Sequence, residues 1–331
     1  MIIRTTAYPR AALIGNPSDG YFGKTIAFTF SNFAARVTLY ESPELEIVPS
    51  RRDGSVFAGI AALYDDVRLF GYYGGIRLLK SAIKSFYGYC LENKIELHGQ
   101  NFTIRYESDI PNLVGLAGSS AIITATMRAL LAFYGVTIPK PQLANLIRAV
   151  ENRELGIAAG LQDRVAQVYQ GLVYMDFDKA LIDRQGFGLY EPFLPARLPN
   201  LYIAYRTDLS EGSEVFHNNI RDRFDRGEPE VVNAMKYWAD LTVQAKKALE
   251  GGDWARLAEL MDANFDKRKE IFKLSEGNLR MVETARSVGA SAKFTGSGGA
   301  IIGTCADDAM FAKLSQAFAS QSIRVFKPVI V

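Results

Sequence analysis

The chain has 331 residues, room for about two domains, and its 48% hydrophobic and 22% charged residues suit a globular protein with a sizeable core. A net charge of +2 is too near zero to point to nucleic acid or a membrane surface as partner. Cys90 and Cys305 have no CxxC or Cys/His spacing and read as thiols of a reducing compartment. Arg4, Pro9 and Arg10 interrupt any leader-like opening, and the apolar-leaning run 121–136 contains Arg128 and polar residues. A soluble, cytoplasmic protein is expected.

Arg10-Ala-Ala-Leu13-Ile14 is a short apolar strand that stops at Gly15 and empties into the polar loop Asn16-Pro-Ser-Asp19. Turn chemistry alone accounts for that loop. Ser18 to Thr25 nearly matches a GxxxxGK[ST] phosphate loop. That loop must open a helix, however, and the alternating residues 26–30 and 36–40 read as strands. The near-match is a decoy.

Residues 40–70 read as short strands and loops punctuated by Pro43, Pro49 and Gly54. Gly71 to Gly75 then leads into a helix whose apolar stripe is Ile76, Leu79, Ile83, Phe86 and Cys90, with Lys80 and Lys84 outside it. Tyr72 and Tyr73 either line a sugar site with ring faces and hydroxyls or complete the core. A strand at 102–106 feeds the central stretch, Pro111-Asn-Leu-Val-Gly115-Leu116-Ala117-Gly118-Ser119-Ser120-Ala121. Gly115 and Gly118 let the backbone curl and approach a ligand closely. Ser119 and Ser120 fall where a helix begins, an end that holds phosphate through its N–H groups and dipole. An ordinary Ser-capped helix after a glycine turn uses the same residues.

The next helix, 141–155, buries Leu143, Leu146, Ile147 and Val150, and Glu151 falls four residues after Ile147, on the buried face. A buried carboxylate needs a cation, and Arg153, two residues on, faces another side. A metal ion is one partner for it; water at the edge of the stripe is the other. Asp163, in the Gly-rich turn after Gly156 and Gly160, opens a short helix ended by Gly171, and 172–177 is a strand. N-capping alone would occupy such an Asp. Residues 178–200, with two glycines and three prolines, read as loop and mark the boundary between domains 1–185 and 200–331. The second domain begins with a strand at 201–205, followed by helices at about 229–249, 253–271 and 276–288. Thr295-Gly296-Ser297-Gly298-Gly299 interrupts a pair of strands, as a turn or as backbone pressed on a ligand. A helix at 307–319 and a strand at 323–330 finish the chain.

Taken in order, these blocks resemble the GHMP small-molecule kinases. Arg10–Asp19 matches the family's first motif, Pro111–Ala121 its phosphate loop and Thr295–Ala300 its third motif. Within the family the chain is most similar to the glucuronokinases of plant type, through blocks at 15–19, 72–79, 154–157, 160–168 and 293–300.

The resemblance implies an α+β, two-domain fold, with an N-terminal domain like domain 2 of ribosomal protein S5 and a ferredoxin-like C-terminal domain. It implies ATP phosphates on the loop through residues 111 and 115–121, and Mg²⁺ held by Ser120 and Glu151. It further implies Asp163 at the acceptor hydroxyl, Arg10 beside Asp163, and Asp19 on sugar hydroxyls. Tyr72, Tyr73, Arg77, Gly296, Ser297 and Gly298 are the remaining substrate contacts expected. For a sugar acid, one arginine must read the carboxylate. Arg77 is the first choice, because Arg164 is expected to point away from Asp163's side of its helix. Galactokinases carry Glu-His where Asn16-Pro17 stands, so galactose is not the expected sugar. The implied activity is an ATP-dependent sugar-1-kinase acting on glucuronate, with another sugar kinase or a non-catalytic sugar- and ATP-binding regulator as alternatives. The oligomeric state stays open.

Overall fold

The computed structural model describes residues 1–50, 53, 74–193, 198–207 and 214–331, with the backbone alone over 214–219. Tyr72 and Tyr73 lie outside the described residues. Packing groups the chain into two compact units. The first comprises Met1–Pro9, Phe33–Ile110 and Ala117–Ala159; the second comprises Arg10–Asn32, Pro111–Leu116 and Gly160–Val331.

The first unit is a four-stranded sheet in the order β1-β4-β6-β5, built from β1 (Ile2–Ala7), β4 (Ala35–Ser42), β5 (Glu46–Val48) and β6 (Asn101–Ser108). Its pairs are antiparallel except β5 with β6. Helix α1 (Gly75–Glu92) packs on α2 (Gly118–Tyr134), and α2 packs on β1 and β4. On α1 the buried residues after Gly75 are Leu78, Leu79, Ala82, Phe86 and Cys90, so the stripe is rotated slightly from the expected one. Ile76 and Ile83 are only half-buried, and Lys80 and Lys84 are exposed as expected. Helix α3 (Lys140–Ala149) continues into a π-helical turn, Val150–Glu154.

The second unit contains two antiparallel sheets. One has the order β2-β3-β7-β8, from β2 (Arg10–Ile14), β3 (Lys24–Thr29), β7 (Leu172–Asp176) and β8 (Leu189–Pro192). A single 3₁₀ turn, Ser18–Tyr21, separates β2 from β3, so a strand and not a helix follows the decoy loop. Gly15, at φ +92°, has no room for a side chain, since a Cβ there would lie 2.2 Å from Lys24 O and from Thr242 Oγ1. The short helix α4 (Gln162–Tyr169) packs against β3. Residues 178–193 are not loop as their composition suggests. They form α5 (Lys179–Gln185) and β8, because the Asp178 side chain accepts from Leu181 N–H at one end and Gly186, at φ +84°, terminates the other.

The other sheet runs β10-β11-β9-β12, from β9 (Leu201–Arg206), β10 (Lys293–Phe294), β11 (Ala300–Thr304) and β12 (Ile323–Phe326). Numbered along this part of the chain, that order is the ferredoxin-like one, with the first strand between the third and fourth. Strand β12 is shorter than expected, and only Ile330 makes a further bridge, to Phe30. Helix α6 (Glu214–Asp225) has no counterpart among the sequence expectations. Helices α7 (Pro229–Gly251), α8 (Trp254–Ile271), α9 (Glu276–Ser287) and α10 (Asp308–Ala319) fall close to where they were expected. Helices α7 and α8 pack together, with α7 also on β3 and α8 on β10 and β2. Tyr202, Phe265, Phe294, Leu314 and Phe318 anchor the core of this sheet.

Candidate active site

In the second unit, strand β2 delivers Arg10 to a point where three expected motifs converge. The Arg10 N–H donates to Leu116 O at 3.1 Å, and the next outward N–H, of Ala12, donates to Thr295 O at 2.9 Å. Arg10 is 4% exposed. Its Nη1 donates to Gly115 O at 3.1 Å and to Thr295 O at 2.6 Å, while Nη2 pairs with Asp163 Oδ1 at 2.6 Å. The glycines in these loops are required by close approach. A Cβ on Gly115 would lie 2.9 Å from Gly298 O, and one on Gly296 would lie 2.5 Å from Gly115 O.

Asp163 lies in the first turn of α4, and its carboxylate is held between two cations. Arg164 Nη1 lies 3.3 Å from Asp163 Oδ2 and also donates to Gly160 O at 3.1 Å. The expectation that Arg164 points away is therefore corrected. In the first turn its long side chain folds back over its neighbour, and it is buried. Burial alone would push the Asp163 carboxyl up, but Arg10, Arg164 and the Gln162 side chain outweigh it and hold the group below its usual range. Asp163 is an anion at neutral pH.

Asp19 belongs to the same cluster. Gly160 makes room for it, since a Cβ there would meet Asp19 Oδ2 at 2.3 Å. Burial first, and then the Asp163 carboxylate, push the Asp19 carboxyl up to about 6, against the pull of Arg10, the Gln162 N–H and Arg164. Asn264 fixes the loop that carries Asp19. Its Oδ1 accepts from Gly15 N–H at 2.7 Å, its Nδ2 donates to Asn16 O at 3.0 Å, and its own carbonyl accepts from Trp238 Nε1 at 3.0 Å.

Sequence reasoning missed two basic residues here. Arg268, on α8, donates from Nη1 to Gly296 O at 2.9 Å and from Nη2 to Ser297 O at 3.2 Å. Lys293 Nζ donates to Ala12 O and Phe294 O, each at 2.8 Å. Burial, followed by Arg268 and Arg10, pushes the Lys293 group well below its ordinary value, and its hydrogen bonds tie β2 to β10. The signal for Arg268 was present in the sequence. Met261, Asn264, Phe265 and Arg268 follow helical spacing along the buried face of α8.

The first unit holds the remaining expected residues. Ala117, at φ +61°, turns the chain into α2, so the helix starts at Gly118 without a serine cap. Ser119 and Ser120 lie inside the first turn, where backbone N–H groups have no partner within the helix. Ser120 is buried, and its Oγ donates to Ala117 O at 3.1 Å, which leaves oxygen lone pairs for a cation. Glu151 is only 2% exposed, on the π-helical turn. A buried hydroxyl and a buried carboxylate are oxygen donors of the kind a hard divalent cation takes. Among the described residues there is no cluster of three or more His, Cys, Asp or Glu side chains that could hold a metal. Arg77 is half-buried in the first turn of α1.

Comparison with known proteins accords with this layout. The model of the GHMP kinases N terminal domain matches residues 77–171, and that of the GHMP kinases C terminal domain matches 245–321. The chain is 43% identical to Glucuronokinase 1 of Arabidopsis thaliana, over 94% of this chain and 87% of that one. It is 42% identical to Probable glucuronokinase 2 of the same plant, over 98% and 90%. The structure of Lactococcus lactis galactokinase complexed with galactose superposes with a TM-score of 0.76 at 16% identity, covering 99% of this chain and 93% of that one, a likeness of fold. Two domain matches that span more than half of the chain, and near full-length relatives, lead to one conclusion: this chain belongs to the GHMP kinases.

Proposed function

We propose that the protein is an ATP-dependent sugar-1-kinase that phosphorylates the anomeric hydroxyl of D-glucuronate, giving glucuronate 1-phosphate and ADP. The observation that carries this reading is the Arg10–Asp163–Arg164 cluster, tied by Arg10 to Gly115 and Thr295. The full-length likeness to the plant glucuronokinases supports the choice of sugar. The silent-regulator alternative is disfavoured, because a non-catalytic binder has no use for a carboxylate kept ionised by two buried guanidiniums.

In this reading Asp163 accepts the hydrogen bond of the anomeric hydroxyl and aims its oxygen at the γ-phosphorus. The new oxygen–phosphorus bond forms as the bond to the leaving ADP breaks, and the proton passes to Asp163. Its low pKa makes Asp163 chiefly an orienting anion that takes the proton late, which a loose phosphoryl-transfer transition state tolerates. Arg10 neutralises Asp163 and charge on the transferring group. Asp19 binds sugar hydroxyls, with Gly296, Ser297 and Gly298 alongside. The backbone of residues 111 and 115–121 cradles the nucleotide phosphates.

Ser120 and Glu151 would hold Mg²⁺, which when bound neutralises charge on those phosphates. Ser120→Ala and Glu151→Gln are each expected to raise the Mg²⁺ concentration needed for half-maximal rate. The double variant should be little worse than the worse single. Effects that simply multiply would mean that the two residues do not share one ion.

This reading keeps kinase domains at 1–185 and 200–331 as a proposal. The free, buried thiols Cys90 and Cys305 support a reducing, cytoplasmic setting. No described helix is long and apolar enough to cross a membrane. The direct test of the substrate is kcat/KM with ATP across glucuronate, galacturonate, glucose, galactose and fucose. Glucuronate should lead by at least about tenfold, as a site built around an acid requires; a neutral hexose in the lead would contradict the reading.

A further inference from the structure

Arg268 is buried deeply and, among the described residues, has no acidic side chain in ion-pair contact with it. Each of its terminal nitrogens donates one bond, to Gly296 O and Ser297 O, while its Nε has no hydrogen-bond partner. Of the guanidinium's five N–H donors, two are used by these carbonyls, one on each terminal nitrogen keeps hydrogen-bonding capacity, and the Nε–H is fully buried. The rings of Phe272 and Phe294, each 5.1 Å from Cζ, hold the group in place. A desolvated cation without an anion is costly to fold around. Burial accordingly pushes the Arg268 guanidinium down to about 10, against the opposing pull of the Asp19 charge and Tyr21.

The charge balance points the same way. Arg10, Arg164 and Arg268 bring three guanidiniums to a cluster whose carboxylates are Asp19 and Asp163, before the Lys293 amine, which burial pushes well down, is counted. One positive charge is left over on the side of Asp19, the residue read as the sugar's partner. We infer that Arg268 is the residue that reads the carboxylate of the sugar acid, through the terminal N–H groups that its loop contacts leave unused. This rests on the sugar-acid kinase reading above and replaces Arg77 in that role. The bound carboxylate completes the charge balance, so a neutral sugar in its place leaves Arg268 buried and unpaired.

The test compares glucuronate with glucuronamide, the same sugar with a neutral amide at C6, in wild type, Arg268→Gln, Arg268→Lys and Arg77→Gln. Arg268→Gln should lower kcat/KM for glucuronate about 10–100-fold more than for glucuronamide, mainly through KM. Arg268→Lys keeps the charge without the planar fork and should lower the acid-to-amide ratio by about tenfold; it also serves if the Gln variant does not fold. Arg77→Gln should leave the ratio as in wild type. Equal losses for both sugars in the Arg268 variants would reduce Arg268 to a support for residues 296 and 297 and overturn the inference. So would a ratio that collapses only in Arg77→Gln. A wild type that phosphorylates no sugar acid overturns the functional reading itself, and this inference with it.

Discussion

Asp163→Asn is expected to lower kcat by about 10²–10⁴-fold, the usual cost of losing a positioned proton acceptor. KM for ATP should change little, since the nucleotide is assigned to residues 111 and 115–121. The substitution keeps the shape of the side chain and an oxygen for Arg10 Nη2, now 2.6 Å away. It also turns an amide towards Arg10 or Arg164 and removes the anion that both require. Far-UV circular dichroism should therefore stay native while Tm falls. The low pKa of Asp163 makes the size of the rate loss informative. A loss near the lower end fits an anion that orients the hydroxyl and receives its proton late. Near-normal kcat would remove Asp163 from the chemistry altogether.

Arg10→Met should damage both stability and rate. Removing one partner of a buried ion pair typically costs about 3–5 kcal/mol, because the remaining charge is left uncompensated. Arg164 stays 3.3 Å from the other carboxylate oxygen and softens the loss. The hydrogen bonds to Gly115 O and Thr295 O go as well, so the two loops lose a shared anchor. The effect has a sign in pH. Asp163 titrates below its unfolded value, so its pairing stabilises fully above the unfolded pKa of about 4 and is lost as pH falls through the folded pKa. The destabilisation measured by urea unfolding should be full at neutral pH and shrink on acidification below about pH 4. A penalty that does not change with pH would assign it to lost packing and loop contacts instead of the ion pair.

The parts of this site that were legible in the sequence are those whose physics is local. Gly115 to Ser120 announces a tight turn into a helix within a few residues, and α2 begins at Gly118. Glu151 fell on a buried stripe by helical spacing and is buried. Arg164 departs from expectation because a long side chain in a first turn folds back over its neighbour, so adjacent helix positions do not fix its direction. Residues 178–193 were misread because glycine and proline content outweighed a cap-to-cap spacing, from Asp178 to Gly186, that marks a short helix. Arg268 was missed for another reason. A basic residue on an amphipathic helix is ordinarily exposed, and that expectation outweighs the helical spacing that puts Arg268 on the buried face with Met261, Asn264 and Phe265.

The most direct measurement is a phosphorus NMR spectrum of the sugar product after incubation of the purified protein with ATP, Mg²⁺ and D-glucuronate. A phosphate signal coupled to the anomeric proton, appearing in step with ADP and absent with Asp163→Asn, is the expected result. ADP formed with inorganic phosphate alone, or phosphate on any other hydroxyl, would contradict the assignment of Asp163 to the anomeric oxygen and of the protein to the sugar-1-kinases.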